Sequence, residues 1–227
     1  MQQDAAARDA PARRLVFFDL DGTVARRDTL LPYVARYLLR HPWRAWRLPA
    51  VLSSAAGFAV GRGDRGGLKG SLIRAGLGGV TAAEIESWNA RFLPPLLAGG
   101  LFTAAVAAIE AHRRQGDHLI LMSASVDLYV PEIGRRLGFD QTICSGVAWR
   151  QERLDGRLRT ANRRDQEKVR CFEAAASAHP GLATVAYGNS ASDLPHMVLA
   201  TRAVMINPSL RLRRMAEAHG MECVLWR

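Results

Sequence analysis

The stretch Arg14-Leu15-Val16-Phe17-Phe18-Asp19-Leu20-Asp21-Gly22-Thr23 decides the fold. Four consecutive apolar residues, Leu15 to Phe18, read as a buried strand, expected over 14–19. Two carboxylates, Asp19 and Asp21, follow two residues apart, and Gly22 permits a tight turn. In an open α/β sheet, ligands bind just beyond the carboxyl ends of the strands. Two like charges held this close need a cation between them or a shared proton, and hard oxygen ligands suit Mg²⁺. Asp-Gly is also a common turn pair, so the decapeptide needs support from the rest of the chain.

Three later segments supply it. His118-Leu119-Ile120-Leu121-Met122-Ser123-Ala124-Ser125 reads as an apolar strand, expected over 118–123, ending in hydroxyls. A serine there can donate to a phosphate oxygen, and the helix that follows offers free N–H groups to the same anion; serine is equally an ordinary helix N-cap. Lys168, in Arg164-Asp165-Gln166-Glu167-Lys168-Val169, falls early in an amphipathic helix, where a cation opposes the helix dipole. A solvated surface lysine is the alternative. Thr184-Val185-Ala186-Tyr187-Gly188-Asn189-Ser190-Ala191-Ser192-Asp193 runs from a strand, expected over 183–187, into glycine, oxygen-bearing side chains and a carboxylate.

Together the four segments resemble the haloacid dehalogenase superfamily of phosphatases with an aspartate nucleophile. Asp19-Leu20-Asp21-Gly22-Thr23 matches the family's first motif, Ser123 the strand-end hydroxyl of the second and Lys168 the third. Gly188-Asn189-Ser190-Ala191-Ser192-Asp193 matches the fourth. The resemblance covers nearly the whole chain after the first dozen residues and is nearest the phosphoserine-phosphatase-like branch. It implies an α/β fold: a Rossmann-like three-layer core with a parallel sheet, and a helical cap inserted after the first strand. It also implies roles. Asp19 would be the nucleophile and Asp21 the acid and base, with Lys168 completing the catalytic set. Ser123, Ala124, Asp28, Gly22 and Thr23 would bind substrate. Asp19, Asp21, Asn189 and Asp193 would hold Mg²⁺. The family usually has Asp where this chain has Asn189. An amide oxygen still ligates Mg²⁺ but brings no charge, so weaker metal binding is expected; a degraded site is the alternative.

Residues 13–27 and 101–227 are expected to form the core and 28–100 the cap. Residues 1–12, Ala-rich and polar, read as a disordered leader without the apolar segment of a signal peptide. From about Asp28 to Ala98, helical patterns replace strand signals. Leu30, Leu31, Val34, Tyr37 and Leu38 make one apolar face, and residues 61–67 a flexible basic loop. Thr81-Ala82-Ala83-Glu84 is a capping box, Pro94 and Pro95 are expected to end its helix, and Gly99-Gly100 to lead back to the core. There the pattern predicts a helix over 126–137, a strand over 142–145 and a hairpin within 147–158 turning at Asp155-Gly156. The Lys168 helix, a helix over 192–200, a strand over 202–206, a helix over 209–219 and a strand over 222–226 complete it. This alternation implies a parallel sheet with right-handed crossovers.

The net charge is +10, from 31 Lys and Arg against 21 Asp and Glu, which attracts phosphorylated or other anionic partners. No zinc-finger spacing or paired aromatic RNA-binding motif is present, so no specific nucleic-acid partner is expected. Three cysteines without metal-ligand spacing fit a reducing, cytoplasmic setting, each as a small apolar side chain. The apolar stretch 48–60 is too short to span a bilayer, which needs about 20 residues; it lies in a membrane surface or forms a buried cap helix. Trp43 and Trp46, with Arg40, Arg44 and Arg47, pattern either as an interfacial helix or as core aromatics. Phe17 to Thr23, Asp28, Tyr37 to Arg40 and the apolar, basic cap are similar to bacterial phosphatidylglycerophosphate phosphatases. That similarity implies a phospholipid-precursor phosphate as substrate, an anionic membrane surface as partner and peripheral association with the inner membrane. The alternatives are a phosphatase of a soluble metabolite, of the phosphoserine or histidinol phosphate type, and a non-catalytic phosphoryl-binding protein. Asp28 matches the acidic residue that faces the substrate amine in phosphoserine phosphatases, or caps the helix beginning at Thr29-Leu30. Arg62, Arg65, Lys69 and Arg74 meet a second phosphate or a lipid surface, or form a solvated basic face.

Overall fold

Leu15–Phe18 form strand β1, and all four side chains are buried. A computed structural model of the protein describes residues 13–59, 61 and 64–227; the expected leader 1–12, and Val60, Arg62 and Gly63 of the apolar stretch and basic loop, lie outside the described residues. After β1 come helices α1 (Leu30–Arg40), α2 (Leu48–Ala59), α3 (Arg65–Leu77) and α4 (Ala82–Gly99), with a short 3₁₀ segment at Pro42–Arg47. Then follow α5 (Thr103–Arg114), β2 (His118–Val126), α6 (Val130–Leu137), β3 (Gln141–Ser145), β4 (Val147–Arg150) and β5 (Arg153–Leu158). The chain continues through α7 (Gln166–Ala178), β6 (Thr184–Gly188), α8 (Leu194–Met197), β7 (Arg202–Ile206), α9 (Leu210–Ala218) and β8 (Glu222–Val224).

Among the described residues six strands pair in the order β3-β2-β1-β6-β7-β8, every pair parallel. The period of two along β1 builds a three-layer core. Val16 and Phe18 join one buried cluster with Ile109 of α5 and Ile133 of α6; Leu15 and Phe17 join another with Phe172 of α7 and Leu212 of α9. With both faces covered, the strand needs no polar face. The chain order runs outward from β1 through β2 to β3, then restarts on the other side at β6. This reversal makes the β1–β6 junction the topological switch point, where open α/β sheets bind ligands. Phe18 pairs with both Leu121 and Tyr187, so Asp19 emerges between the ends of β2 and β6.

The α1–α4 unit leaves and returns through two adjacent strands of chain. Arg26 N donates to Gly100 O at 2.8 Å, Phe102 N to Val24 O at 3.0 Å, and Ala25 bridges Leu101. Aromatic packing seats the unit on the core, with Tyr33 against Phe92 at 5.0 Å and against Tyr129 at 4.5 Å. The β4–β5 hairpin, which leaves the core after β3, pairs with its far side: Gly79 N donates to Leu154 O and Leu154 N to Val80 O. Gly156, at φ +87, lies so close to α3 that a Cβ there would fall 2.6 Å from Arg74 Cα.

Several local expectations differ from the structure. Thr81 and Glu84 form the capping box, but α4 continues through Pro94 and Pro95 to Gly99. Phe92 and Leu93 before the prolines, and Leu96 and Leu97 after them, pack on the core, and their burial outweighs the lost ladder bonds. On α1, Tyr33 is buried and Leu31 faces out. The strand β2 extends to Val126, so the next helix starts at Val130 rather than 126. The hairpin turns at Gln151 and Glu152, both with positive φ, and not at Asp155-Gly156. The helix expected over 192–200 is regular only over Leu194–Met197, and the last strand stops at Val224. Trp43 and Trp46 sit on the 3₁₀ segment at 67% and 73% exposure, which overturns their reading as core aromatics. No helix among the described residues is long and apolar enough to cross a membrane.

Candidate active site

A cleft of about 450 Å³ opens at the carboxyl end of the sheet, lined by Asp19, Asp21, Gly22, Asp28, Ala124, Lys168, Asn189 and Asp193, among others. Eight of the ten residues expected at the site therefore reach one space. Thr23 is fully buried beside it and donates from Oγ1 to Asp19 Oδ2 at 3.3 Å. Ser123 is fully buried too, and its Oγ accepts from Ser125 N at 3.0 Å.

The centre is an ion triad out of water. Lys168 reaches from the first turn of α7 and is 2% exposed. Its Nζ donates to Asp19 Oδ1 and Asp193 Oδ1, each at 2.6 Å. The alternative of a solvated surface lysine is thus excluded by position. Burial pulls Lys168 toward neutrality, but Asp19 and Asp193 outweigh it and hold it charged.

The two carboxylates differ because their other partners differ. Asp193 also accepts from Ser190 Oγ at 2.7 Å and Ser190 N at 3.0 Å. Burial alone would raise it; Lys168 and these bonds bring it down to about 2. Asp19 has Thr23 as its further donor, and burial, with Asp193 and Asp21 nearby, pushes it up to about 7 against the pull of Lys168. One lysine therefore does not satisfy this group of carboxylates.

Asp21 belongs to a separate network. Oδ2 accepts from Ser125 Oγ at 2.6 Å, and Oδ1 accepts from Thr29 N at 2.8 Å and Thr29 Oγ1 at 2.6 Å. Tyr129 OH lies 2.9 Å from Thr29 Oγ1. Burial raises Asp21, and the hydrogen bonds only partly counter it. Gly22 has φ +85, and a Cβ there would fall 1.9 Å from Asn189 Nδ2. The glycine thus lets the first loop and the Asn189 side chain meet. Asp28 is exposed, and its Oδ1 accepts from Leu31 N at 2.9 Å, the capping role, while it also edges the cleft.

Ser125 and Thr29 were not legible in the sequence as partners of Asp21, nor Tyr129 as a partner of Thr29. A second hydroxyl two residues after Ser123 was the available signal for Ser125. Arg26, Arg27, Lys69, Arg164, Ser190 and Ser192 also line the cleft. Lys69 comes from α3 and donates to Ala124 O at 2.5 Å and Asn162 Oδ1 at 2.6 Å; burial lowers it to about 8.

Comparison with known proteins agrees with this geometry. Residues 16–197 match the haloacid dehalogenase-like hydrolase family. The chain is 30% identical over 191 residues to Protein CicA of Caulobacter vibrioides, covering 82% of each. It is 26% identical over 218 residues to a probable phosphatase of Mycobacterium tuberculosis, covering 92% of this chain and 74% of the relative. A substrate-bound phosphoserine phosphatase shares the fold, with a TM-score of 0.66 at 18% identity over 93% of this chain and 92% of that one. With four fifths of its length matched and its carboxylates gathered at the switch point, the chain belongs to the haloacid dehalogenase-like hydrolase family.

Proposed function

We propose that the protein hydrolyses phosphomonoesters through an aspartyl-phosphate on Asp19, with Mg²⁺ as cofactor. The observation that carries this reading is the buried Lys168 bridging Asp19 and Asp193 at the end of the central strand. Phosphoryl transfer needs an in-line nucleophile and neutralised oxygens more than elaborate covalent chemistry. Asp19 Oδ2, held weakly by Thr23, is the oxygen available to attack phosphorus. Asp21 is held away from Lys168 by Ser125 and Thr29, and its raised affinity for a proton suits it to protonate the leaving alcohol. In the second half it would take a proton from the attacking water. Lys168 offsets the repulsion between an anionic nucleophile and an anionic ester. The backbone at Ala124, with Ser123 and Thr23 fixing the strand ends, would orient the phosphoryl oxygens. The phosphatase named among the relatives supports the reaction class.

The residues fit a hard divalent cation. Among the described residues no three His, Cys, Asp or Glu side chains form a ligand cluster. The fit rests on the Asp19 and Asp193 carboxylates, which together carry one charge more than Lys168 offsets. The Asn189 amide oxygen and the Asp21 backbone carbonyl would complete an all-oxygen set. Bound Mg²⁺ supplies neutralisation of the phosphoryl oxygens. The test is hydrolysis of an aryl phosphate by wild type, Asp19→Asn and Asp21→Asn, with and without Mg²⁺. Asp19→Asn should abolish turnover in a folded protein, and Asp21→Asn should slow it roughly 10²–10⁴-fold. Near-normal turnover by Asp19→Asn would refute the nucleophile, and Mg²⁺-independent turnover the cofactor.

A lipid-borne ester at an anionic membrane surface is a second reading, and one observation favours it. Residues 29–63 contain five arginines and no carboxylate, and the exposed Trp43, Trp46 and Leu52 lie among them. Apolar area beside an arginine-rich segment suits an anionic bilayer. Sedimentation with anionic but not neutral vesicles, weakening with salt and with Trp43→Ala/Trp46→Ala, is the expected result. No binding at low salt would leave a soluble phosphomonoester as substrate.

A further inference from the structure

On the phosphatase reading, we propose that the ester this site accepts carries a second anionic group on its alcohol portion, received by Lys69 and Arg164 and the arginine-lined cleft beyond them. The catalytic cleft does not end at the carboxylates. Arg164 lines it and also lines a larger cleft of about 760 Å³, which runs between α3 and residues 157–165. Lys69 joins the two spaces: it lines the first and donates to Asn162, which lines the second. The alcohol portion of an ester whose phosphorus meets Asp19 therefore lies beside two cations, where the two clefts adjoin.

Charge decides what fits that path. The larger cleft is lined by Arg65, Arg74, Arg157 and Arg164 against Asp64 and Asp165. Arg74 lies 3.1 Å from Asp155, and Arg157 lies 3.8 Å from the same carboxylate. Arg164 Nε stands 3.6 Å from Asp165. In the larger cleft four arginines thus meet three carboxylates, while Lys69 faces Asp21 and Asp28 across the catalytic cleft. Lys69 has three N–H donors and spends two on Ala124 O and Asn162 Oδ1. A neutral alcohol would leave the third without a strong acceptor in a half-buried setting, whereas an anion satisfies it. The transferring phosphoryl group does not need this lysine, because Lys168 already stands at Asp19. Gly67, which lines the larger cleft, leaves that part of the α3 wall without a side chain, whereas Gly66 and Gly70 let α3 pack closely on residues 156–162.

The second anion has two sources, a soluble bis-phosphorylated alcohol or a phospholipid headgroup, and the experiment has an arm for each. Values of kcat/KM are compared for 3-hydroxypropyl phosphate and propane-1,3-diol bisphosphate in solution. The lipid arm uses a phospholipid whose headgroup ends in a phosphomonoester, presented in phosphatidylcholine vesicles. The wild type should prefer the second-anion ester in at least one arm by about tenfold or more, the effect of one charge-assisted hydrogen bond. Lys69→Met or Arg164→Gln should lower that preference by a similar factor, and Lys69→Arg should retain it. Circular dichroism and the Tm of each variant report that it is folded. Equal kcat/KM for wild type in both arms, or a preference unchanged in both charge-removing variants, overturns the proposal alone. Failure of the wild type to hydrolyse any ester, the aryl phosphate included, overturns the phosphatase reading with it.

Discussion

Lys168→Met tests the centre of the site through stability rather than turnover. The methionine keeps most of the volume and the apolar stem, so the packing term is small. What disappears is the charge 2.6 Å from Asp19 Oδ1 and 2.6 Å from Asp193 Oδ1, where the lysine side chain is 2% exposed and Asp193 1%. Removing one partner of a buried pair strands the other and costs roughly 3–5 kcal/mol. For a chain of this size each kcal/mol shifts Tm by about 2–4 °C, so a fall of roughly 6–20 °C is expected. The cost comes from stranded carboxylates, so adding Asp193→Asn should return part of it; the amide oxygen can still accept from Ser190. Calorimetry of wild type, both single variants and the double variant in metal-free buffer measures the coupling. Added Mg²⁺ should restore part of the loss in Lys168→Met, because a cation can stand between the same carboxylates. A Tm shift under about 2 °C, or single-variant losses that simply add, would refute the buried triad as the source of the energy.

Three further outcomes are expected. Asn189→Asp should lower the Mg²⁺ concentration that gives half-maximal activity; an unchanged or higher requirement counts against Asn189 as a ligand. Gly22→Ala should cost about 1–2 kcal/mol from its φ of +85 alone and should also weaken Mg²⁺ activation, because the new Cβ displaces Asn189; a variant with wild-type Tm and Mg²⁺ response would sink that account. Away from the site, burial holds His112 below the ordinary imidazole range despite Asp117 at 2.6 Å. Asp117, against its own burial, is held below the usual carboxylate range by Arg14 and His112. Both folded values lie below the unfolded ones, so both contributions are complete above about pH 6.5 and are lost as pH falls, His112 first. The Tm difference between wild type and His112→Gln should therefore change as pH falls below about 6.5, where the wild type loses the His112 contribution; a difference constant with pH would exclude that contribution.

The parts of the fold legible in the sequence are those where one local pattern meets no competitor. Leu15 to Phe18 are apolar on both faces because the strand has helices on both sides, and a run with no polar alternation can be little else between turn signals. The Thr81–Glu84 capping box was equally plain, because both halves of it are local. Pro94 and Pro95 misled because the local rule met a larger tertiary term: four large apolar residues around them are fixed to the core. The hairpin turn was misplaced because Gly156 looked like turn chemistry, yet its positive φ and missing side chain serve contact with α3. The turn itself falls on Gln151 and Glu152, residues with no special turn preference.

The same division runs through the site. Asp19, Asp21, Lys168 and Asp193 were legible because each lies at a strand end or in the first turn of the helix that follows. Those positions are fixed by the core alone. Lys69 was legible only as one of several basic residues that meet a second phosphate, a lipid surface or solvent, since its place depends on how α3 lies over the end of β2, and no local pattern encodes that. Its bonds to Ala124 and Asn162 tie α3 to the end of β2 and to the loop between β5 and α7 at once. The core thus fixes the reacting carboxylates, while the cations that meet the rest of a substrate arrive from a segment whose sequence is merely helical, basic and glycine-rich. Selectivity can then change through α3 and residues 157–165 without disturbing the triad of Lys168, Asp19 and Asp193. Substitutions at Lys69 or Arg164 should accordingly alter which ester is preferred, whereas substitutions at Lys168 should alter whether any ester is hydrolysed.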